Sequence, residues 1–348
     1  MSPRPGAGNP NARLMIVGEA WGEWEERKGL PFVGPSGDEL NRLLHDSNLT
    51  RNECYVTNVV NSRPPGNDIQ KWMPEAKKDI TPDCVQVRGK FVKPIVAEGI
   101  ASLQREIALV KPAVILALGG TALWALTEHE GITKWRGSLL QYHGDACGAA
   151  SRVVPTYHPA AILRMWEWRA IALLDFKRAA RELVQPTVEP SRRYLIGLNL
   201  SDTILTLGHL FRIVQTQPLW VDLDLETKAG HIDCCGLSWS PTDAICIPFM
   251  SDTNMEGYWT VEEEAQVLWW LMRLTRHPNC WIRGQNILYD CQYTWRHWHF
   301  VPNVKQDTMI SHHTLWAGLP KSLAFQASMY CDYYVNWKPD KEVWKEGG

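Results

Sequence analysis

The 348-residue sequence lacks several features that would assign it quickly. It has no Cys-x-x-Cys pair, and its nine cysteines follow no repeating spacing, with only Cys234-Cys235 close together. That excludes a zinc module and a secreted disulfide scaffold, and points to a reducing compartment. The longest apolar run, Ala113 to Leu126, holds two glycines and falls short of the about 20 residues a membrane helix needs. "MSPRPGAGNPNAR" has no apolar core of a signal peptide. No internal repeat is found. Net charge is only −2, so no strong field advertises nucleic acid. The expected setting is the cytoplasm, with no membrane partner.

What is present is an ordinary globular composition, 45% hydrophobic and 21% charged, with 18 tryptophans, more than cores of this size need. Large flat rings left at a surface are what stacking sites use, and rings packed in a core are the plainer alternative. Length favours two domains. The charge is unevenly divided: up to Pro186 there are 23 Lys and Arg against 20 Asp and Glu, and beyond it 13 against 18. In the first half, strand-like runs ("RLMIVG", "CYVTNVV", "AVILALG", "RVVPTYH") alternate with helical patterns. The last of these, "AAILRMWEWRAIALLDFKRAARELV", reads as one long helix. The alternation predicts a parallel α/β sheet with functional loops at the carboxyl ends of its strands. "QPTVEPSRR" reads as a linker, after which "YLIGL", "LWVDLDLET" and the hairpin-like "HIDCCGLSWSPTDAICIPF" begin a second α/β domain. The expected boundaries are residues 1–185, a linker at 186–192, and 193–348.

Three strand-end loops carry unusual chemistry. "GEAWGEWEERKGLPFVGPSG" places Glu19, Glu25 and Phe32 after the first strand. "TNVVNSRPPGND" puts Asn58 inside a strand, followed by a rigid Pro64-Pro65-Gly66 turn, and "VPTYHPAAILR" puts His158 where a strand gives way to a helix. Each residue alone has an ordinary explanation in a turn, a cap, a core or a solvated face. Together they supply what excising a nucleobase requires: a ring to stack the base, an amide to read its edge, and an imidazole to meet the oxygen that gains charge.

These three stretches resemble the ordered motifs of the uracil-DNA glycosylase superfamily, closest to its family 4, over roughly residues 13–182. The resemblance implies that Phe32 stacks on the flipped uracil and that Asn58 pairs with its O4 and N3–H. It implies that His158 donates to O2 as the uracil leaves. Glu25, or else Glu19, would position water or offset charge on the sugar. Pro64, Pro65, Gly66 and the "HPAAILR" loop would grip the backbone and wedge the base stack, with Arg164 on a phosphate. Two departures stand out: Trp21 replaces the usual proline, and Ser62 replaces a cysteine of the family's iron–sulfur cluster. No iron–sulfur cluster is expected here.

In the second half, "WVDLDLETKAG" sets Asp224 and Glu226 two apart, on one face of a strand, and "IRGQNILYD" adds Asp290 at a helix start. Three such oxygen ligands suit Mg²⁺ or Mn²⁺ in phosphodiester hydrolysis. An edge strand merely ending in acids is the alternative for the first motif. "DLET", "GQNILYD" and "DTMISHHTLWAGLPKSLAFQASMY" resemble, in order, the 3′–5′ exonuclease domain of family A DNA polymerases, which implies a mixed-sheet, RNase H-like fold over roughly 193–337. Asp307 is taken as supporting, and the family's Tyr-x-x-x-Asp motif is absent.

The expected protein is a two-domain DNA-maintenance enzyme that excises uracil from single- or double-stranded DNA and carries an exonuclease-like domain. It would be the N-terminal part of a phage-type family A polymerase, truncated or split from a DNA polymerase subunit as its partner, in a bacterial or phage-infected cell. A non-catalytic uracil reader or DNA grip, and a glycosylase for another modified pyrimidine, are the alternatives.

Overall fold

The computed structural model describes residues 5–74, 76–144, 151–251 and 257–337. The chain divides into two units: one runs to Val188 and takes in the segment from Ala327 onward, and the other is Glu189–Gln326. No helix among the described residues is long and apolar enough to cross a membrane.

The first unit is built on six strands: β1 (Ala7–Gly8), β2 (Leu14–Ala20), β3 (Cys54–Val60), β6 (Val114–Leu118), β7 (Leu140–Gln141) and β8 (Arg152–Thr156). They lie in the order β1-β3-β2-β6-β8-β7, and β4 (Val85–Val87) and β5 (Lys90–Val92) form a separate hairpin. Strands β3, β2, β6 and β8 are parallel, as the alternation predicts. At its edges the two-residue strands β1 and β7 pair antiparallel. Such short edges limit further pairing. All seven residues of β3 and all five of β6 are buried, since both faces are covered. The helices are α1 (Glu23–Lys28), α2 (Pro35–Asp46), α3 (Pro94–Val110), α4 (Gly120–Thr127), α5 (Ile132–Trp135), α6 (Pro159–Ile162) and α7 (Trp168–Val184). Helix α3 packs on β3, α4 on β2 and β6, and α7 on β6 and β8.

Two expectations are corrected. The long helix after His158 breaks into α6 and α7 at Leu163–Glu167. A turn bond from the Arg164 N–H to the Ala161 carbonyl (3.1 Å) ends the first piece, and the Trp168 ring, stacked on Tyr157 at 4.5 Å, anchors the second. The second domain, drawn to residue 348, ends instead at Gln326, because the following segment is bonded into the first unit. Buried Arg136 pairs with Asp175 (Nε–Oδ2 2.9 Å) and donates to Ser328 Oγ at 2.7 Å. Arg178 donates to the carbonyls of Ser328 and Cys331, and the Leu139 N–H donates to the Tyr334 carbonyl (2.7 Å). Removing one partner of the buried Arg136–Asp175 pair typically costs about 3–5 kcal/mol, so the arginine that receives Ser328 is itself firmly held.

The second unit contains β9 (Arg193–Ile196), α8 (Leu200–Thr216), β10 (Leu219–Lys228), β11 (His231–Ser238), β12 (Asp243–Pro248) and α9 (Val261–Thr275). It continues with β13 (Cys280–Gly284), α10 (Leu288–Tyr293), β14 (Val304–Asp307) and α11 (Thr308–Leu315); α12 (Leu323–Tyr330) carries its C-terminal limit. The sheet order is β14-β13-β10-β11-β12-β9, with β11 antiparallel to both neighbours and β13 and β14 parallel to β10. This is the mixed α/β sheet expected of the second domain. Leu207, Leu210 and Val214 of α8 and Val267, Leu271 and Leu274 of α9 bury their apolar stripes in its core.

Candidate active site

In the first unit the chain order of the parallel strands, β2, β3, β6, β8, becomes the spatial order β3-β2-β6-β8. The winding therefore reverses between β2 and β6, and a crevice opens there at the carboxyl ends of the strands. A pocket of about 470 Å³ in this region is lined by Glu19, Trp21, Glu25, Phe32, Asn58 and His158, with Pro64, Asn67, Arg164 and Trp168 among the rest. The three strand-end loops separated in sequence thus meet in one place.

Phe32 is held in a strained conformation. Its φ is +53°, a region that costs a bulky side chain of order 1–3 kcal/mol. The neighbours enforce it: Arg51 donates to the Pro31 carbonyl (2.8 Å), and the Val33 N–H donates to Glu25 Oε1 (3.1 Å). Gly37 must be glycine, since a Cβ there would lie 2.0 Å from the Phe32 carbonyl oxygen. The Phe32 ring ends against the imidazole of His158, centroids 5.5 Å apart and 28° from parallel. Gly18 lies beneath it. A Cβ on Gly18 would stand 2.3 Å from Asn58 Oδ1 and 2.5 Å from Phe32 Cζ, so only glycine lets both groups reach the pocket.

Asn58 is 3% exposed and pairs in register with Gly18 across β3 and β2. Its amide nitrogen donates to Asn61 Oδ1 (3.4 Å), the same oxygen that accepts the Trp21 indole N–H at 3.1 Å, while Asn61 Nδ2 donates to Thr57 Oγ1 (3.0 Å). Asn61 therefore fixes which way the Asn58 amide points. Sequence reasoning missed this residue, although its place three positions after Asn58, in "NVVN", was the available signal. Trp21, noted only as a departure from the family pattern, supplies the second donor to Asn61.

His158 caps α6: the Ala160 N–H donates to its Nδ1 at 3.1 Å. Nδ1 is thereby an acceptor, and in the neutral ring the proton sits on Nε2. Burial, joined by the charge of Arg164, holds the imidazole down to about 4, so it is neutral at physiological pH. A neutral Nε2–H can donate to an oxygen that becomes negative.

The two acids differ in commitment. Glu25 is buried and spends both oxygens on backbone N–H groups, Oε2 on Gly22 (3.1 Å) and Oε1 on Val33. Among the described residues Glu19 accepts one side-chain hydrogen bond, from Thr121 Oγ1 to Oε2 (2.6 Å). Pro64 lines the pocket, while Pro65 and Gly66 stand exposed beyond it and Asn67 takes their place on the wall. The described cysteines of this unit, Cys54, Cys84 and Cys331, number three and do not fit a four-thiolate cluster: Cys54 is buried, its thiol pushed up to about 11 by burial, Cys84 contacts Thr81, and Cys331 is exposed. Among the described residues no three His, Cys, Asp or Glu side chains stand close enough to hold a metal ion.

That last observation covers the second unit as well. Asp224 and Glu226 are exposed on β10, with side chains on one face. Asp290 is buried on α10 and accepts the Leu225 N–H at 2.8 Å. The β10–β13 ladder ends at Asp222–Arg283, so that N–H lies past the last rung. Burial, then the charges of Asp224 and Glu226, push Asp290 up to about 6. As placed, the three carboxylates do not form a coordination site. Asp307 caps α11 and also accepts the N–H groups of Asn286 (3.1 Å) and Ile287 (3.0 Å). Its work is structural.

The family described as the uracil DNA glycosylase superfamily matches residues 5–184. The chain is 35% identical over 178 residues to the type-4 uracil-DNA glycosylase of Thermotoga maritima, covering 50% of this chain and 79% of that one. It is 26% identical over 176 residues to a DNA polymerase of Bacillus phage SP01, covering 50% of this chain but 16% of the polymerase. Among solved structures, Escherichia coli RNase D overlaps 43% of this chain and 35% of its own at 14% identity, with a TM-score of 0.28, too slight a likeness to argue from.

Proposed function

Because the chain belongs to the uracil DNA glycosylase superfamily, we propose that its first unit excises uracil from DNA by hydrolysing the N-glycosidic bond. The observation that carries the reading is the convergence of Phe32, Asn58 and a neutral His158 on one pocket. The flipped base stacks on Phe32. Asn58, oriented by Asn61, donates Nδ2–H to O4 and accepts N3–H at Oδ1; a cytosine presents a donor and an unprotonated nitrogen there and is refused. As the C1′–N1 bond breaks, the electron pair goes to the base, and the His158 Nε2–H stabilises the charge on O2 without needing to transfer its proton. Water adds at C1′ and passes its proton to a carboxylate beside it, which returns it to the uracil anion or to solvent. Glu19, which retains an uncommitted oxygen, suits that task, and Glu25 instead holds Phe32 in place. Pro64 and Arg164 meet the DNA backbone at the pocket wall, with Pro65 and Gly66 extending that contact outside it.

The test uses single-stranded and duplex oligonucleotides carrying one uracil, incubated with the chain in EDTA and then treated with alkali. Cleavage at uracil supports the reading. Selective binding without cleavage would make the unit a reader, and release of a different modified pyrimidine would change its substrate.

For the second unit we propose an exonuclease-like role with Asp224, Glu226 and Asp290 as its acidic centre. Support comes from the carboxylate pair on β10 and from Asp290, kept reluctant to ionise beside it. Mg²⁺ or Mn²⁺ would relieve that repulsion by drawing the three together. Calorimetric titration of Mn²⁺ into the chain and into Asp224→Ala tests this: equal heats in both would sink it. Association with a DNA polymerase, of which this chain would form the N-terminal part, belongs to the same proposal.

A further inference from the structure

The tryptophan excess finds a use at the mouth of the pocket. Trp24 is 48% exposed and sits on α1 between Gly22 and Glu25, both pocket-lining residues. Its ring packs on Gly34, at the start of α2, and has Arg27 and Lys28 over it at 5.8 and 5.9 Å. Trp166 is 58% exposed in the break between α6 and α7, two residues from Arg164 and two from Trp168, which also line the pocket. Arg169 lies over its ring at 5.3 Å. Each ring has these neighbours against it while about half of its surface stays open.

The charges around these rings are close to balanced, with Glu167 exposed beside Trp166, and most of the other acids are answered by cations. Arg27 is paired with Glu23, Arg63 with Glu26 (3.2 Å), and Arg169 with Glu39 (2.8 Å) and Asp46 (2.7 Å). Lys28 and Arg164 have no ion pair among the described residues, and one lies in each of the two elements that carry the rings. Leu163 and Met165, exposed beside Trp166, widen the apolar surface. Unpaired bases fit such a rim: each offers a flat face to an indole and a phosphate to a neighbouring cation, without any sequence requirement. In duplex DNA the flanking bases are already stacked and paired, and their faces are not available.

Resting on the glycosylase reading, we propose that Trp24 and Trp166 are stacking platforms for the bases flanking the flipped one, so that the first unit takes uracil from single-stranded DNA in preference to duplex. The rim binds the strand whether or not the base is cut.

The experiment uses the full chain in EDTA with a single-stranded oligonucleotide carrying 2-aminopurine on each side of one uracil, and with the same strand annealed to its complement. Stacking on indole quenches 2-aminopurine, and alkali cleavage reads excision separately. Trp24→Ala and Trp166→Ala should each lower single-strand affinity and kcat/KM about ten-fold, with loss of quenching, and change the duplex values less than about two-fold. Trp24→Phe and Trp166→Phe, which keep a flat ring, should recover most of the loss. Equal losses on both substrates, or undiminished quenching in the alanine variants, would overturn the proposal. Quenching without excision in the unaltered chain would instead sink the glycosylase reading and leave the stacking rim standing.

Discussion

In the first unit Asn58, His158 and Phe32 are tied down before any ligand arrives, whereas in the second unit the carboxylates stand apart. Asn58 is oriented by Asn61, His158 by the Ala160 N–H, Phe32 by Glu25, Arg51 and Gly37. Asp224 and Glu226 point into solvent, and Asp290 is buried with a backbone partner. The difference follows from the chemistry each centre uses. Neutral donors and rings can be buried and hydrogen-bonded in advance at little electrostatic cost. Like charges cannot be gathered without a cation, because their repulsion grows as water is removed.

The comparison breaks most readily at its preorganised side. Gly18→Ala inserts a methyl group into space already filled by Phe32 and Asn58, displacing both. Uracil release should fall about 10²–10³-fold with the melting temperature changed far less, measured by single-turnover kinetics and calorimetry. His158→Ala removes the donor to O2 and should cost about 10²–10³ in kcat. In the unaltered enzyme, the imidazole held down to about 4 predicts no loss of rate between pH 8 and 5.5 from this group, and a decline only toward pH 4. A limb centred near 6.5 that vanishes in His158→Ala would contradict the assigned neutral ring.

The next contrast lies between the two acids. Glu19→Gln should depress kcat at unchanged KM, while Glu25→Gln, which loosens the Val33 N–H and Gly22 N–H anchors, should raise KM and lower stability together. The opposite pattern would return the water-positioning role to Glu25. Asn61→Ala should weaken discrimination of uracil from cytosine about ten-fold by freeing the Asn58 amide.

The smallest effect belongs to the second unit. Asp290, raised in the fold from its ordinary 3.8 to about 6, binds more protons folded than unfolded between those values. Its charge therefore costs stability increasingly as pH rises through that window, and fully above it. Asp290→Asn, which can still accept the Leu225 N–H, should raise the melting temperature by about 5 °C at pH 8 in EDTA, with the gain disappearing toward pH 4. Excess Mn²⁺ should abolish or reverse the gain.

Most of the secondary structure was legible because its signals are local. Strand-like runs of five to seven residues gave β2, β3 and β6. The break at Leu163–Glu167 was not legible, since helical periodicity runs through it and the turn bond to Ala161 and the stacking of Trp168 on Tyr157 belong to the folded chain. Nor was the return of the segment after Gln326 to the first unit, which depends on a buried arginine 192 residues away from Ser328.

The sequence by itself determined which chemical groups are available at each strand end: ring, amide, imidazole and acids, in three short stretches with their glycines and prolines. Tertiary structure alone decided their division of labour. Glu19 and Glu25 are the same residue type six positions apart, yet one keeps a free oxygen and the other spends both on backbone N–H groups. An ionisable group's task is set by the partners and the burial that packing gives it, and these come from distant parts of the chain.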